Sequence, residues 1–111
     1  MNVSKNDLFI YETSKGKLPL EEWLQDLRDR KARAIIRGRL DRLECGNIGQ
    51  FRAVGEAIYE LKIDFGPGYR VYFGRDGKTV IILLCGGDKS SQRKYIRKAQ
   101  EYWQDYKRGN K

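Results

Sequence analysis

Five side chains stand out as a set able to act on a phosphate: Lys62, Arg70, Lys89, Arg93 and Tyr95. Lys62 and Arg70 fall on the polar side of two alternating strand candidates, so both are expected on the open, non-core face of the sheet. Lys89, Arg93 and Tyr95 arrive from the loop and helix that follow, and Tyr69 and Tyr72 lie nearby in sequence. Cations interleaved with rings suit single-stranded nucleic acid, since arginine grips phosphate and aromatic faces stack on bases. The chain has no histidine, which removes the commonest general acid and base. Each residue taken alone also has a plain structural role. Arg70 can pair with Asp64 across the ladder, Lys62 can lay its stem over its neighbours, and Tyr95 shares a helical spacing with Ala99 and Tyr102. The basic run Arg93, Lys94, Arg97 and Lys98 can be a solvated helix face or an RNA-binding one. What favours function is four elements converging on one groove.

Other chemistries fit less well. Gly66, Gly68 and Gly74 form no strand-to-helix phosphate loop, and no lysine stands in Walker position. Gly86-Gly87 precedes a helix start, where an anion such as an RNA phosphate can sit. Glu60 and Asp88, isolated among cations, make a poor Mg²⁺ site, so no metal and no other cofactor is expected. Glu60 reads instead as a charge partner of Lys62 or an orienting group. Cys45 and Cys85 are forty residues apart, each in an apolar context, which fits a buried, reduced pair in a cytoplasmic protein. No apolar run approaches spanning length, and MNVSKNDLF carries no signal pattern, so no membrane partner is expected. The net charge of +8 and a pI near 9.6 favour a polyanionic partner, though a merely basic protein has the same balance.

These residues must be placed by a small set of elements, and 111 residues are expected to form one domain, residues 1–111, with one modest core. The central feature is a three-stranded antiparallel meander over Ile58 to Lys89, turning at Gly-Pro-Gly and again at Asp-Gly. Tyr59, Leu61, Ile63 and Phe65 alternate on one strand, Tyr69, Val71 and Phe73 on the next. The two sets share a core only if an odd number of residues joins them, because a one-residue slip flips every side chain. A three-residue Gly66-Pro67-Gly68 loop meets this condition and sets Asp64 near Arg70. The third strand, apolar on both faces from Val80 to Cys85, belongs in the interior, flanked by a first strand over Asp7 to Thr13. Pro19 opens a helix with a Leu20, Trp23, Leu24, Leu27 stripe, and Asp29 caps a second with Ala32, Ile35, Ile36, Leu40 and Leu43 inward. Arg30, Lys31, Arg33, Arg37, Arg39 and Arg42 are expected outside, and Gly46-Asn47 ends this helix. Residues 46–56 read as irregular, with Gln50 to Val54 able to pair briefly as an edge. Asp88, Ser90 or Ser91 can cap a last helix running to about Lys107, before a frayed tail.

The stretch IYELKIDFGPGYRVYFGRDGKTVIILLCGGDKSSQ resembles the C-terminal half of the phage-derived, Gp49-like addiction-module killer proteins, within the RelE/ParE toxin superfamily. LPLEEWLQDLRDRKARAIIRGRLDRLECGNIGQFRAVGE resembles the preceding part, so the likeness spans nearly the whole chain, with GPGYRVYF and GGDKSSQ its most specific segments. The resemblance implies a toxin neutralised by a helix-turn-helix antitoxin encoded beside it, and cleavage of mRNA at the ribosome. By the same resemblance Lys62, Arg70, Lys89 and Tyr95 match the basic and tyrosine positions of RelE-like ribonucleases. Glu60 stands where those carry a second strand lysine. The superfamily also holds toxins that inhibit DNA gyrase, and a fold alone does not set the activity.

The expected architecture is therefore α+β, RelE/ParE-like, in the order β-α-α-β-β-β-α. A mainly antiparallel four-stranded sheet carries a helical hairpin on one face and the C-terminal helix on the other. The expected reaction is attack of a 2′-hydroxyl on the adjacent phosphate. Arg70 and Lys89 would clamp the charge, Lys62 or Glu60 would be the base, and Tyr95 would stack on a base or donate a proton. A gyrase inhibitor without nuclease activity and a non-catalytic nucleic-acid-binding module are the alternatives.

Overall fold

The computed structural model describes residues 5–109. The N-terminal residues 1–4 of the signal-pattern reading, and Asn110 and Lys111 of the expected tail, lie outside the described residues. The elements are β1 (Asp7–Ile10), α1 (Pro19–Asp26), α2 (Arg30–Glu44), β2 (Phe51–Gly55), β3 (Ile58–Ile63), β4 (Tyr69–Asp76), β5 (Val80–Asp88), a short 3₁₀ turn (Lys89–Ser91) and α3 (Gln92–Gly109). The expected four-stranded sheet is a five-stranded one, in the order β1-β5-β4-β3-β2. The additional strand is β2 itself, Phe51–Gly55 in place of the expected Gln50 to Val54 edge, and it pairs with β3 with a bulge at Val54. β1 ends at Ile10 instead of reaching Thr13, because the Thr13 backbone turns back to bond Gly16 and Lys17. It lies parallel to β5, while all other pairs are antiparallel.

The β3–β4 register corrects the expected hairpin. Ile63 pairs with Tyr69, so residues 64–68 form the loop, not Gly66-Pro67-Gly68 alone. Five is odd, as three is, so the parity argument still places both apolar sets on one face. The ladder has nonetheless slid by two residues. Lys62, not Asp64, stands opposite Arg70.

Leu61, Ile63, Tyr69, Val71, Phe73, Ile81 and Leu83 make the sheet's side of one core, closed by Leu20 and Leu24 of α1 and Ala32, Ile36, Leu40 and Leu43 of α2. Asp29 caps α2 by accepting from the Lys31 and Ala32 amides at 3.0 and 3.1 Å. At its other end the Gly46 and Asn47 amides bond back to the Leu43 and Arg42 carbonyls, satisfying the last turn. The second core holds Tyr11, Ile58, Tyr72, Ile82, Leu84 and Cys85 under Ala99 and Trp103 of α3. Leu84 and Cys85 both reach it because Leu84 bulges out of the β4–β5 register; Cys45, expected to be buried as well, is exposed where it ends α2. α3 runs on to Gly109, past the expected end near Lys107. Among the described residues no helix is long and apolar enough to cross a membrane.

The face that carries Lys62 and Arg70 is therefore not open. α3 lies across it, and Arg70 is 5% and Glu60 3% exposed.

Candidate functional site

The β3–β4 register sets Glu60 opposite Tyr72 and Lys62 opposite Arg70, while the β2–β3 register sets Arg52 opposite Glu60. Strand alternation turns all five side chains to the α3 side. Gln92, the first residue of α3, reaches down to them. Arg52, Glu60, Lys62, Arg70 and Gln92, together with Gln50 and Phe51, line a cleft of about 250 Å³, with Tyr72 buried beneath.

Glu60 is the hub. One carboxylate oxygen accepts from Arg52 Nε at 2.8 Å. The other accepts from the Tyr72 hydroxyl at 2.9 Å and from Gln92 Nε2 at 2.7 Å. Burial alone would disfavour its charge, but the bonds from Arg52, Gln92 and Tyr72 outweigh burial and hold the carboxyl below its ordinary range. A carboxylate so occupied is a poor proton acceptor, and it positions its neighbours instead. Tyr72 shows the other side of the bond. Burial, then the Glu60 carboxylate, push its phenol well above its usual range, so it stays a neutral donor.

Arg70 is less well served. Its Nη1 donates to the Tyr69 carbonyl at 3.2 Å. Its Nε lies 3.7 Å from Glu60 Oε1, within ion-pair but not hydrogen-bond reach. Among the described residues this Nε is the buried side-chain nitrogen left without a hydrogen-bond partner. A buried donor left without a hydrogen bond costs roughly 1–3 kcal/mol, which the ion-pair contact with Glu60 offsets in part. Three cations, Arg52, Lys62 and Arg70, face the cleft against the single carboxylate of Glu60.

The walls are held from outside the sheet. The Lys89 amide donates to the Gly68 carbonyl at 2.8 Å, tying the end of β5 to the β3–β4 loop. Gly68 sits at φ +83, and a Cβ there would come within 3.3 Å of Arg70 Nη1 and 3.5 Å of Lys89 Cβ. Glycine takes this positive φ without the strain a side chain would bring. Asp88 receives the Ser91 amide and the Ser90 hydroxyl, which starts the 3₁₀ turn and carries the chain into α3. The Ser90 hydroxyl bond leads several contacts that hold the Asp88 carboxyl below its ordinary range.

Residues 22–105 match the family described as phage-derived protein Gp49-like (DUF891). The chain belongs to the phage-derived Gp49-like family. It is a family of addiction-module toxins, a class that works with an antitoxin partner. The chain is also 45% identical over 86 residues to an uncharacterized protein of Haemophilus influenzae, covering 78% of this chain and 87% of that one.

The matched span of this Gp49-like protein includes every residue of the cleft. Of the residues singled out in the sequence, the cleft gathers Glu60, Lys62 and Arg70. Lys89 is exposed and does not line the cleft; its side chain starts beside Gly68. Tyr95 lies one strand away with its ring against Gly87, the residue paired with Arg70. Tyr69 and Tyr72, expected as base-stacking rings, are both buried. Tyr69 turns into the core under α1 and α2, and Tyr72 is enclosed beneath α3. Arg93, Lys94, Arg97 and Lys98 are exposed on α3.

Arg52 and Gln92 escaped the sequence reading, since β2 looked irregular and Gln92 looked like part of a cap. The alternation of Arg52 with Phe51 and Ala53 was the available signal. Arg39 also departs from the expected outer surface of α2. It donates to the Lys62 carbonyl at 2.9 Å and the Ile48 carbonyl at 3.2 Å, joining β3 to the segment that leads into β2. Among the described residues no three cysteine or acidic side chains gather as a metal site.

Proposed function

We propose that this Gp49-like protein is the toxin of a type II toxin–antitoxin module with a RelE/ParE-like fold, and that it cleaves translated mRNA at the ribosome. Its neutralising partner is a helix-turn-helix antitoxin encoded beside it, and its place of action is the cytoplasm. The observation that carries this reading is the cationic excess of the cleft, where Arg52, Lys62 and Arg70 stand against the single carboxylate of Glu60.

In the proposed step the Nζ lone pair of Lys62 takes the proton of a ribose 2′-hydroxyl. The 2′-oxygen bonds to the adjacent phosphorus, and charge develops on the equatorial oxygens, where Arg70 meets it with a guanidinium fixed in advance. The bond to the 5′-oxygen breaks, and Lys89 supplies the proton that oxygen needs. The products are a 2′,3′-cyclic phosphate and a 5′-hydroxyl. Glu60 takes no proton; it holds Arg52, Gln92 and the Arg70 side chain in register.

A transcript-cleavage assay in a translating extract, run with wild type and Arg70→Ala, tests the proposal. Cleavage by wild type alone supports it. Intact transcripts with wild type overturn it, and gyrase inhibition in a parallel supercoiling assay would then place the activity elsewhere.

A further inference from the structure

A second concave site lies at the edge of β5. β1 follows β5 only to Leu83, so among the described residues the edge of β5 at Cys85 and Gly86 has no strand beside it and is bordered by α1 and α3. Two successive glycines there each lie under an aromatic ring. A Cβ on Gly86 would come within 2.2 Å of the Trp23 ring, and one on Gly87 within 2.3 Å of the Tyr95 ring. The rings border a slot of about 310 Å³, which Tyr102 also lines. Lys94 and Lys98 line the α3 side, with Lys94 Nζ 5.4 Å from the centre of the Tyr95 ring. Glu22 and Asp26, one turn apart on α1, line the other. Among the described residues neither carboxylate has a hydrogen-bond or ion-pair partner. Unpaired acids are unusual company for lysines in a chain of net charge +8.

We propose that this slot is a nucleobase subsite selective for guanine, with Trp23 and Tyr95 offering ring faces and Glu22 and Asp26 reading the base edge. Guanine presents N1–H and N2–H as adjacent donors, which matches the two acceptors of a carboxylate. Adenine and cytosine each set an acceptor beside their amino group, and uracil flanks its one N–H with two carbonyls, so all three turn lone pairs toward the acids. Lys94 and Lys98 suit the flanking phosphates. The inference rests on the ribonuclease reading in one respect: Tyr95, which borders the slot, packs on Gly87, the residue paired with Arg70 of the proposed clamp.

Titration of the intact protein with guanosine 3′-monophosphate, against its adenosine, cytidine and uridine counterparts, tests the slot without requiring cleavage. Tryptophan fluorescence reports it, because Trp103 is 3% exposed and Trp23 faces the slot. Saturable quenching is expected at about tenfold lower concentration for the guanine nucleotide. Glu22→Gln combined with Asp26→Asn should abolish that preference while leaving the melting temperature unchanged, since both side chains are exposed. Equal quenching by all four nucleotides, no saturable quenching, or a preference that survives the double replacement would overturn the subsite. Guanine-selective quenching by a protein that leaves transcripts intact would uphold the subsite and overturn the ribonuclease reading alone.

Discussion

Arg70 Nε stops 3.7 Å short of Glu60 Oε1, while Arg52 Nε reaches the same oxygen at 2.8 Å. The carboxylate that neutralises Arg70 is thus hydrogen-bonded by other donors, and the guanidinium is held beside it by charge and by its bond to the Tyr69 carbonyl. This pair gives the cleft a cation fixed in place.

Arg70→Ala should lower single-turnover cleavage by about 100-fold or more, the scale of losing a transition-state charge stabiliser. Glu60 keeps Arg52, Tyr72 and Gln92 in this variant, so the protein should fold and still bind its antitoxin. Arg70→Lys should recover only part of the rate, because an ammonium is a point charge without the planar fork. A folded Arg70→Ala protein that cuts at the wild-type rate excludes the clamp.

Glu60 links stability to acidity. Its folded-state pKa lies below the ordinary 4.5, so its contribution is fully present above that value and is lost as pH falls through the folded pKa. Glu60→Gln should remove this part of the acid destabilisation. Urea midpoints at pH 7 and in the acid range below 4.5 should therefore differ less in Glu60→Gln than in wild type. The same acid loss in both proteins would count against Glu60 as the hub.

The four exposed cations of α3, Arg93, Lys94, Arg97 and Lys98, make a test of phosphate contact. Neutralising one should flatten the logarithmic salt dependence of RNA binding by about one unit, evenly across sequences. Four unchanged slopes would mean a solvated face.

Gly74→Ala separates packing from chemistry. A Cβ at Gly74 would come within 2.2 Å of the Trp103 ring, and the ring has no room to retreat from the second core. Overpacking of this kind costs roughly 1–3 kcal/mol, read from the urea midpoint. The folded fraction should retain cleavage, since neither residue lines the cleft.

Co-expression with the adjacent small gene should rescue growth and yield a stable complex. Full toxicity beside that neighbour, with no complex recovered, would exclude the proposed pairing.

Local patterns determined much of this protein. Asp29 capped its helix and Pro19 opened another because the relevant bonds span only a few residues. The alternation of β3 and β4 placed Lys62 and Arg70 on one face and the odd loop parity kept it so, since a period of two survives any even slip. That same tolerance is why the sequence could not choose between Asp64 and Lys62 as the residue opposite Arg70: loops of three and five residues satisfy one parity. Nor could it decide burial. Arg70, Glu60 and Tyr72 have the pattern of an open face, and only the long-range packing of α3 across that face covers them. The partners of Glu60 come from β2, β4 and α3, separated from it by 8 to 32 residues. Such a hub is set by how three elements meet, a relation no spacing along the chain encodes.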